Sequence, residues 1–232
     1  MGVIIKESAY VSTDDSQSRQ RLEMEQKYID YIENHVKNVK LAFIKYLQKL
    51  VNKDSIIYTV GINNALFTRQ EFFEALTGAA SDINTHDDSK YSDEEFEPYR
   101  KFWDPTEIEK TYDEYYKAEV EEEYSKAWVH HYTVNDHHPE HWYDFSTNVA
   151  KDMSLRAILH MLCDWESFHI ANPEEDTIDW WMNKAQDERK IMSPKTIAIV
   201  DELLFNIIHP ERKADYQPKE SISQYVVDKT DK

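Results

Sequence analysis

The chain has 232 residues, enough for one domain with a sizeable core, and its 45 acidic against 27 basic residues give a net charge of −18. That balance excludes a broad nucleic-acid or anionic-membrane surface, whose affinity comes from Lys and Arg, but not a small phosphorylated ligand held by one local cation or metal. A single cysteine, Cys163, excludes an intramolecular disulfide and a thiolate metal cluster. No run approaches the roughly 18 apolar residues of a membrane span, the start lacks a signal-peptide core, and Lys6 stands where a myristoylation signal wants Ser or Thr, so the expected setting is the cytoplasm.

Only three glycines occur, at 2, 61 and 78, too few for the turns of an all-β sandwich, and helical patterns dominate. Residues 1–20 are polar and aperiodic and are expected to fray. Over 22–51, Ile29, Ile32, Val36, Val39, Phe43, Leu47 and Leu50 step by three and four, the stripe of one long helix. Ser55–Gly61 reads as a short extended piece or a buried turn. Thr68-Arg-Gln-Glu71 is a capping box opening a helix through Phe72, Phe73 and Leu76, and Ser92-Asp-Glu-Glu95 is a second, leading into Phe96, Tyr99 and Phe102.

An acidic, tyrosine-rich helix is expected over 107–131, and Pro139 suits the first position of a short helix. Ser154 caps a helix through Leu155, Ile158, Leu159, Leu162 and Trp165, Asp176–Lys190 reads as another, and Ser193-Pro194 begins the last, through Ile197, Val200, Leu203, Leu204 and Ile207. Residues 210–232 are expected to form a flexible tail. The fold class is a single all-α domain, a helical bundle over 21–209.

Five of the ten histidines fall between His130 and His141, in His-His-Tyr-Thr-Val-Asn-Asp-His-His-Pro-Glu-His, and His86-Asp87-Asp88-Ser89-Lys90 lies upstream. Histidine is the commonest transition-metal ligand, and vicinal His-Asp offers one nitrogen and one oxygen, so the density points to a metal centre. His35 stands at the border of the long helix's apolar stripe, from which an imidazole reaches an interior site. Asp164 lies among Leu159, Leu162 and Trp165, where a carboxylate is expensive unless paired or metal-bound. Adjacent histidines on a helix point about 100° apart, so one of His130 and His131 faces the site; His131 is taken, with His130 as alternate. His138, just before the Pro139 turn, is taken over His137. His160, one turn before Asp164, reads as a surface or supporting histidine. Gly-rich phosphate loops, His-Glu-x-x-His and Gly-x-Ser-x-Gly do not occur.

The ordered series His35, His86-Asp87, the 130–141 cluster and Asp164 resembles the HD superfamily of metal-dependent phosphohydrolases. The fuller pattern, His-Asp-x-Ser-Lys with His-His-x-x-x-Asn-x-His-His-Pro-Glu and Asp-Trp, is similar to a bacterial and phage family of HD-like proteins, over about residues 28–170. The resemblance implies an HD-type helical bundle in which His35, His86, Asp87 and Asp164 hold one ion, with His131 and His138 available for a second. Those two lie only seven residues apart, closer than the superfamily's usual separation on two helices, so one ion with supporting histidines stands beside two. Lys90 matches a lysine that steadies an anionic substrate in several branches; Arg156 is a weaker anion-binding candidate.

The expected function is therefore a metal-dependent phosphohydrolase acting on a small phosphorylated substrate such as a nucleotide, using Mn, Fe, Co, Ni or Zn, with Asp87 and Lys90 at the chemistry. Two rivals use the same residues differently. HD-like di-iron oxygenases draw on four histidines and two aspartates, a count this chain supplies. A non-enzymatic acidic protein would instead block a nucleic-acid-binding partner, with any metal structural.

Overall fold

The computed structural model describes residues 13–51 and 67–215. Helix α1, Thr13–Ala42, runs for 30 residues and continues through a π turn, Phe43–Leu47, into a 3₁₀ turn, Gln48–Val51. It begins at Thr13, within the segment expected to fray. The extended piece expected over Ser55–Gly61 lies outside the described residues.

Helix α2, Arg69–Asp82, opens on the expected box: Thr68 Oγ1 accepts from Glu71 N at 3.1 Å, and Glu71 reaches back to Thr68 N at 2.6 Å. Helix α3 spans Phe96–Trp103, α4 Glu114–Val134, α5 Leu155–Ala171, α6 Thr177–Asn183, α7 Gln186–Lys190 and α8 Pro194–Leu203. The expected caps at Ser154 and Ser193, and also Asp176 before α6, each accept from the backbone N–H three residues on. The strand pair Tyr143–Asp144 and Val149–Ala150 is the one sheet among the described residues. The domain is all-α, and none of its described helices is long and apolar enough to cross a membrane.

Three expectations need correction. The helix expected over 107–131 starts only at Glu114, because Thr106 and Glu109 form their own reciprocal cap around a 3₁₀ turn. Asp176–Lys190 is broken after Asn183, whose side-chain amide donates to Asp179 O while its carbonyl accepts from Gln186 Nε2; such local bonds compete with the helix ladder. Residues 210–215, placed in the flexible tail, form a 3₁₀ run tied down by Arg212 to Asp176 at 2.8 Å and Asp179 at 2.7 Å.

The apolar residues divide into two clusters, and α1 belongs to both. Its middle gives Tyr28 and Ile32 to a small core with Tyr99 of α3 and Ala127 of α4. Its last turn gives Val39 and Ala42, and the π and 3₁₀ turns that continue it give Leu47 and Leu50, to a larger core with α2, α5 and α8. His35 falls between Ile32 and Val39, at the seam. Polar groups set at such a seam are removed from bulk water yet framed by rigid packing on both sides.

Candidate metal centre

Four elements deliver side chains to this seam. α1 brings His35, and α5, the most apolar of the long helices, brings His160 and Asp164 one turn apart. α4 brings His131, four residues after the buried Ala127. The fourth is the loop between the 3₁₀ turns Ile83–Thr85 and Asp88–Tyr91, where Asp87 takes a left-handed backbone, φ 61° and ψ 17°. Asp is among the few side chains that tolerate this region, and the turn lets consecutive residues both face inward.

His35, His86, Asp87, His131, His137, His160 and Asp164 are all buried, and His138 is half-buried. On one side, His35 Nε2 lies 3.0 Å from His86 Nε2, 3.0 Å from Asp164 Oδ1 and 3.6 Å from Asp87 Oδ2. His86 Nε2 lies 3.4 Å from Asp87 Oδ2 and 3.6 Å from Asp164 Oδ1. Ligands about 2.1 Å from one ion stand about 3.0 Å apart along an octahedral edge and about 3.4 Å apart along a tetrahedral one. His35, His86 and Asp164 thus fit a single cation, and Asp87 Oδ2 stands beside them at 3.4–3.6 Å from the two rings. Asp164 Oδ1 also has no well-aligned hydrogen bond, as a carboxylate oxygen aimed at an ion rather than a proton would have.

On the other side, Asp87 Oδ1, unpartnered as well, faces His131 Nε2 at 3.4 Å, and His131 Nε2 meets His138 Nε2 at 3.0 Å. Asp87, His131, His137 and His138 form a second group able to hold an ion, and His86, His137 and His160 a third. The two oxygens of Asp87 therefore turn toward different donor groups. Among the described residues, buried His and Asp side chains can hold a metal ion here.

The supporting contacts fix ring orientation. His35 Nδ1 meets Ser167 Oγ at 3.1 Å, and His86 Nδ1 meets His160 Nε2 at 2.9 Å. His131 Nδ1 meets Glu95 Oε2 at 2.7 Å, so its Nε2 is the atom left facing Asp87. A carboxylate on the far ring nitrogen sets the tautomer and raises the basicity of a ligating histidine.

Burial pushes His86 down to about 4 and His138 to about 3, and drives His137 and His160 down as well, so these rings are neutral and carry free lone pairs near pH 7. Burial acts oppositely on Asp87, but Lys90 and the rings of His86, His131 and His35 outweigh it and hold the carboxyl well below its usual range. Asp164 is held low against burial by His35, His86 and His137.

All six ligand candidates from the sequence, His35, His86, Asp87, His131, His138 and Asp164, meet at this seam. Both His137 and His138 enter, although only one of them was expected, and His160 is buried against His86 rather than at the surface. His130 stays outside, bonded through Nδ1 to the other oxygen of Glu95 at 2.7 Å. Lys90 donates to Asp87 Oδ2 at 2.6 Å. Arg156 is turned away: it pairs with Asp82 and packs against Gly78, where a Cβ would come within 2.8 Å of its Cδ. His141 is exposed and meets the last carbonyls of α4, Tyr132 O and Thr133 O, at 3.1 Å, the task of a C-terminal cap.

Glu95 is the functional residue that sequence reading missed. The capping box assigned it to a backbone N–H, but Ser92 Oγ has no partner, Glu95 is 0% exposed, and its carboxylate serves His130 and His131 instead. The available signal was an acidic residue one helical turn before the apolar Tyr99, on a face bound to be buried.

A cleft of about 760 Å³ lies beside α5, lined by Trp165, Phe168 and Trp180 and rimmed by Glu174, Glu175 and Asp179. It touches the centre through Phe168, whose ring lies 5.2 Å from that of His35. Its acidic rim suits cations rather than phosphate.

The chain belongs to the family DUF5662, described as a family of unknown function, whose model matches residues 24–206 and so takes in every donor above. No curated protein and no solved structure matches the chain.

Proposed function

We propose that the chain is a metal-dependent phosphohydrolase of the HD type, acting on a small phosphorylated molecule such as a nucleotide. The observation that carries this reading is the convergence of His35, His86 and Asp164, with donor spacings of 3.0–3.6 Å, and of Asp87 Oδ2 at 3.4–3.6 Å from the two rings, beside the ammonium of Lys90. A bound Mn, Fe, Co, Ni or Zn ion would supply charge to polarise the phosphoryl group and would lower the pKa of water enough to give a nucleophile near neutral pH. The protein residues do the rest. Neutral His86 and the ionised Asp87 and Asp164 give up no proton when they ligate. Lys90 uses one N–H on Asp87 and keeps two donors for a phosphate oxygen. The two apolar cores hold the donors rigid and limit bulk water. A cytoplasmic setting suits Cys163, a free and buried thiol.

A second reading, an HD-type di-iron oxygenase, is favoured by one feature: Asp87 turns its two oxygens toward separate donor groups, as a pair of ions would require. An acidic inhibitor of a nucleic-acid-binding partner would have no use for a buried donor set. Elemental mass spectrometry on protein purified without an affinity tag or chelator separates the three. One or two equivalents of a transition metal, together with phosphate release from phosphorylated substrates, supports the hydrolase. Two equivalents of iron with oxygen consumption replaces it by the oxygenase. No metal after reloading would sink both enzyme readings.

A further inference from the structure

Where α1, α3 and α4 meet beside the centre, two phenol groups are shut into the interior. Tyr28 is 1% exposed and Tyr99 5%, and neither hydroxyl has a hydrogen-bond partner. A buried hydroxyl left unsatisfied is expensive, so phenylalanine would serve the small core better at both positions unless the hydroxyls meet something.

Their surroundings indicate what that is. Lys90 Nζ lies 5.8 Å from the centre of the Tyr99 ring, and the His131 ring lies 5.9 Å from it. Burial keeps both phenols protonated, and the charges of Asp87 and Glu95 add to it. The two carboxylates have other contacts: Glu95 serves His130 and His131, and Asp87 Oδ2 takes Lys90. What these side chains still offer includes two phenol O–H groups and two ammonium N–H groups. Spare O–H and N–H donors near a cationic side chain suit an oxyanion.

Tyr31 closes the arrangement on the solvent side. It is 49% exposed, and its ring lies nearly parallel to that of His35 at 6.2 Å and is stacked on Tyr28 at 6.3 Å.

We propose that the hydroxyls of Tyr28 and Tyr99 act with Lys90 as the anion-holding wall of the site, gripping non-bridging oxygens of the substrate's phosphate. In taking the anion to be phosphate, the assignment rests on the phosphohydrolase reading.

The test is calorimetric titration of inorganic phosphate into the Mn-loaded full chain and into Tyr28→Phe and Tyr99→Phe, with the metal content of each measured alongside. Saturable binding by the wild type is expected, weakened about tenfold in each variant with metal content unchanged. The variants should also melt no lower than the wild type without phosphate, since each loses only an unpaired hydroxyl. Equal phosphate affinity in wild type and variants overturns the proposal, as does a wild-type protein that takes up Mn but no phosphate. A wild type that takes up none of Mn, Fe, Co, Ni and Zn removes the phosphohydrolase reading by itself. The same titration on the metal-free proteins then decides the wall: tyrosine-dependent phosphate binding sustains it, and its absence overturns it.

Discussion

Glu95 and His131 are joined by a 2.7 Å contact between Oε2 and Nδ1, both side chains almost wholly buried, and this contact decides which nitrogen of His131 faces Asp87. Replacing Glu95 by Gln removes the charge and one acceptor while nearly conserving shape. We expect metal affinity, measured by competition with a chelator, to fall about 10- to 100-fold, the usual effect of losing such an orienting carboxylate. If affinity is unchanged while stability falls, Glu95 serves packing alone.

Asp87 combines a ligand position with a positive φ of 61°, so its substitutions separate two effects. Asn tolerates this backbone, whereas Ala pays about 1–2 kcal/mol for it, and either leaves the Lys90 charge without its partner. Both Asp87→Asn and Asp87→Ala should lose metal, as should His86→Ala, while most helical content remains by circular dichroism. Asp87→Ala should melt below Asp87→Asn. Full metal occupancy in all three variants would refute the ligand assignment.

Lys90 sits 2.6 Å from Asp87, on an oxygen that also faces His35 and His86. In the metal-free protein it compensates a buried carboxylate, and breaking such a pair costs about 3–5 kcal/mol. Lys90→Met should therefore destabilise the metal-free protein by an amount of that order. Metal should restore much of the loss, because a cation replaces the ammonium at Asp87. Thermal unfolding with and without Mn checks this: an equal deficit in both conditions would place Lys90 away from the ion.

The sequence carried the donor list because ligand chemistry is local to residue type, and because His35 and Asp164 stand on helices whose apolar periodicity already states which face is inside. The caps at Thr68, Ser154 and Ser193 were legible for the same reason: each requires only residues three apart. What stayed hidden depends on distant partners. Glu95 satisfies a local capping pattern, and only the approach of α4, 35 residues on, gives its carboxylate a different use. His160 reads as a surface or supporting histidine, and only the packing of α5 against the His86 loop, which buries it against His86, decides between the two. The halving of Asp176–Lys190 turns on side-chain amides that no hydrophobic period records.

The stability of the small core at low pH should be traceable to one pair. Arg100 is 1% exposed and donates to both oxygens of Glu109, at 3.0 and 2.8 Å, while Glu109 also accepts from Thr106 N at 2.7 Å. Burial opposes ionisation of Glu109, but these bonds outweigh it and hold the carboxyl down to about 2. An unfolded chain ionises Glu near about 4.3, so the folded value is depressed. The stabilisation is therefore complete above about pH 4.3 and is lost as the pH falls through about 2. Glu109→Gln should cost about 1.5–3 kcal/mol at pH 7, the range for a hydrogen bond to a charged group. Urea unfolding of both proteins at a series of pH values should show this gap narrowing only on the acid side. A gap that stays constant down to about pH 2 would mean that the carboxylate charge contributes nothing and that the cost is one of shape.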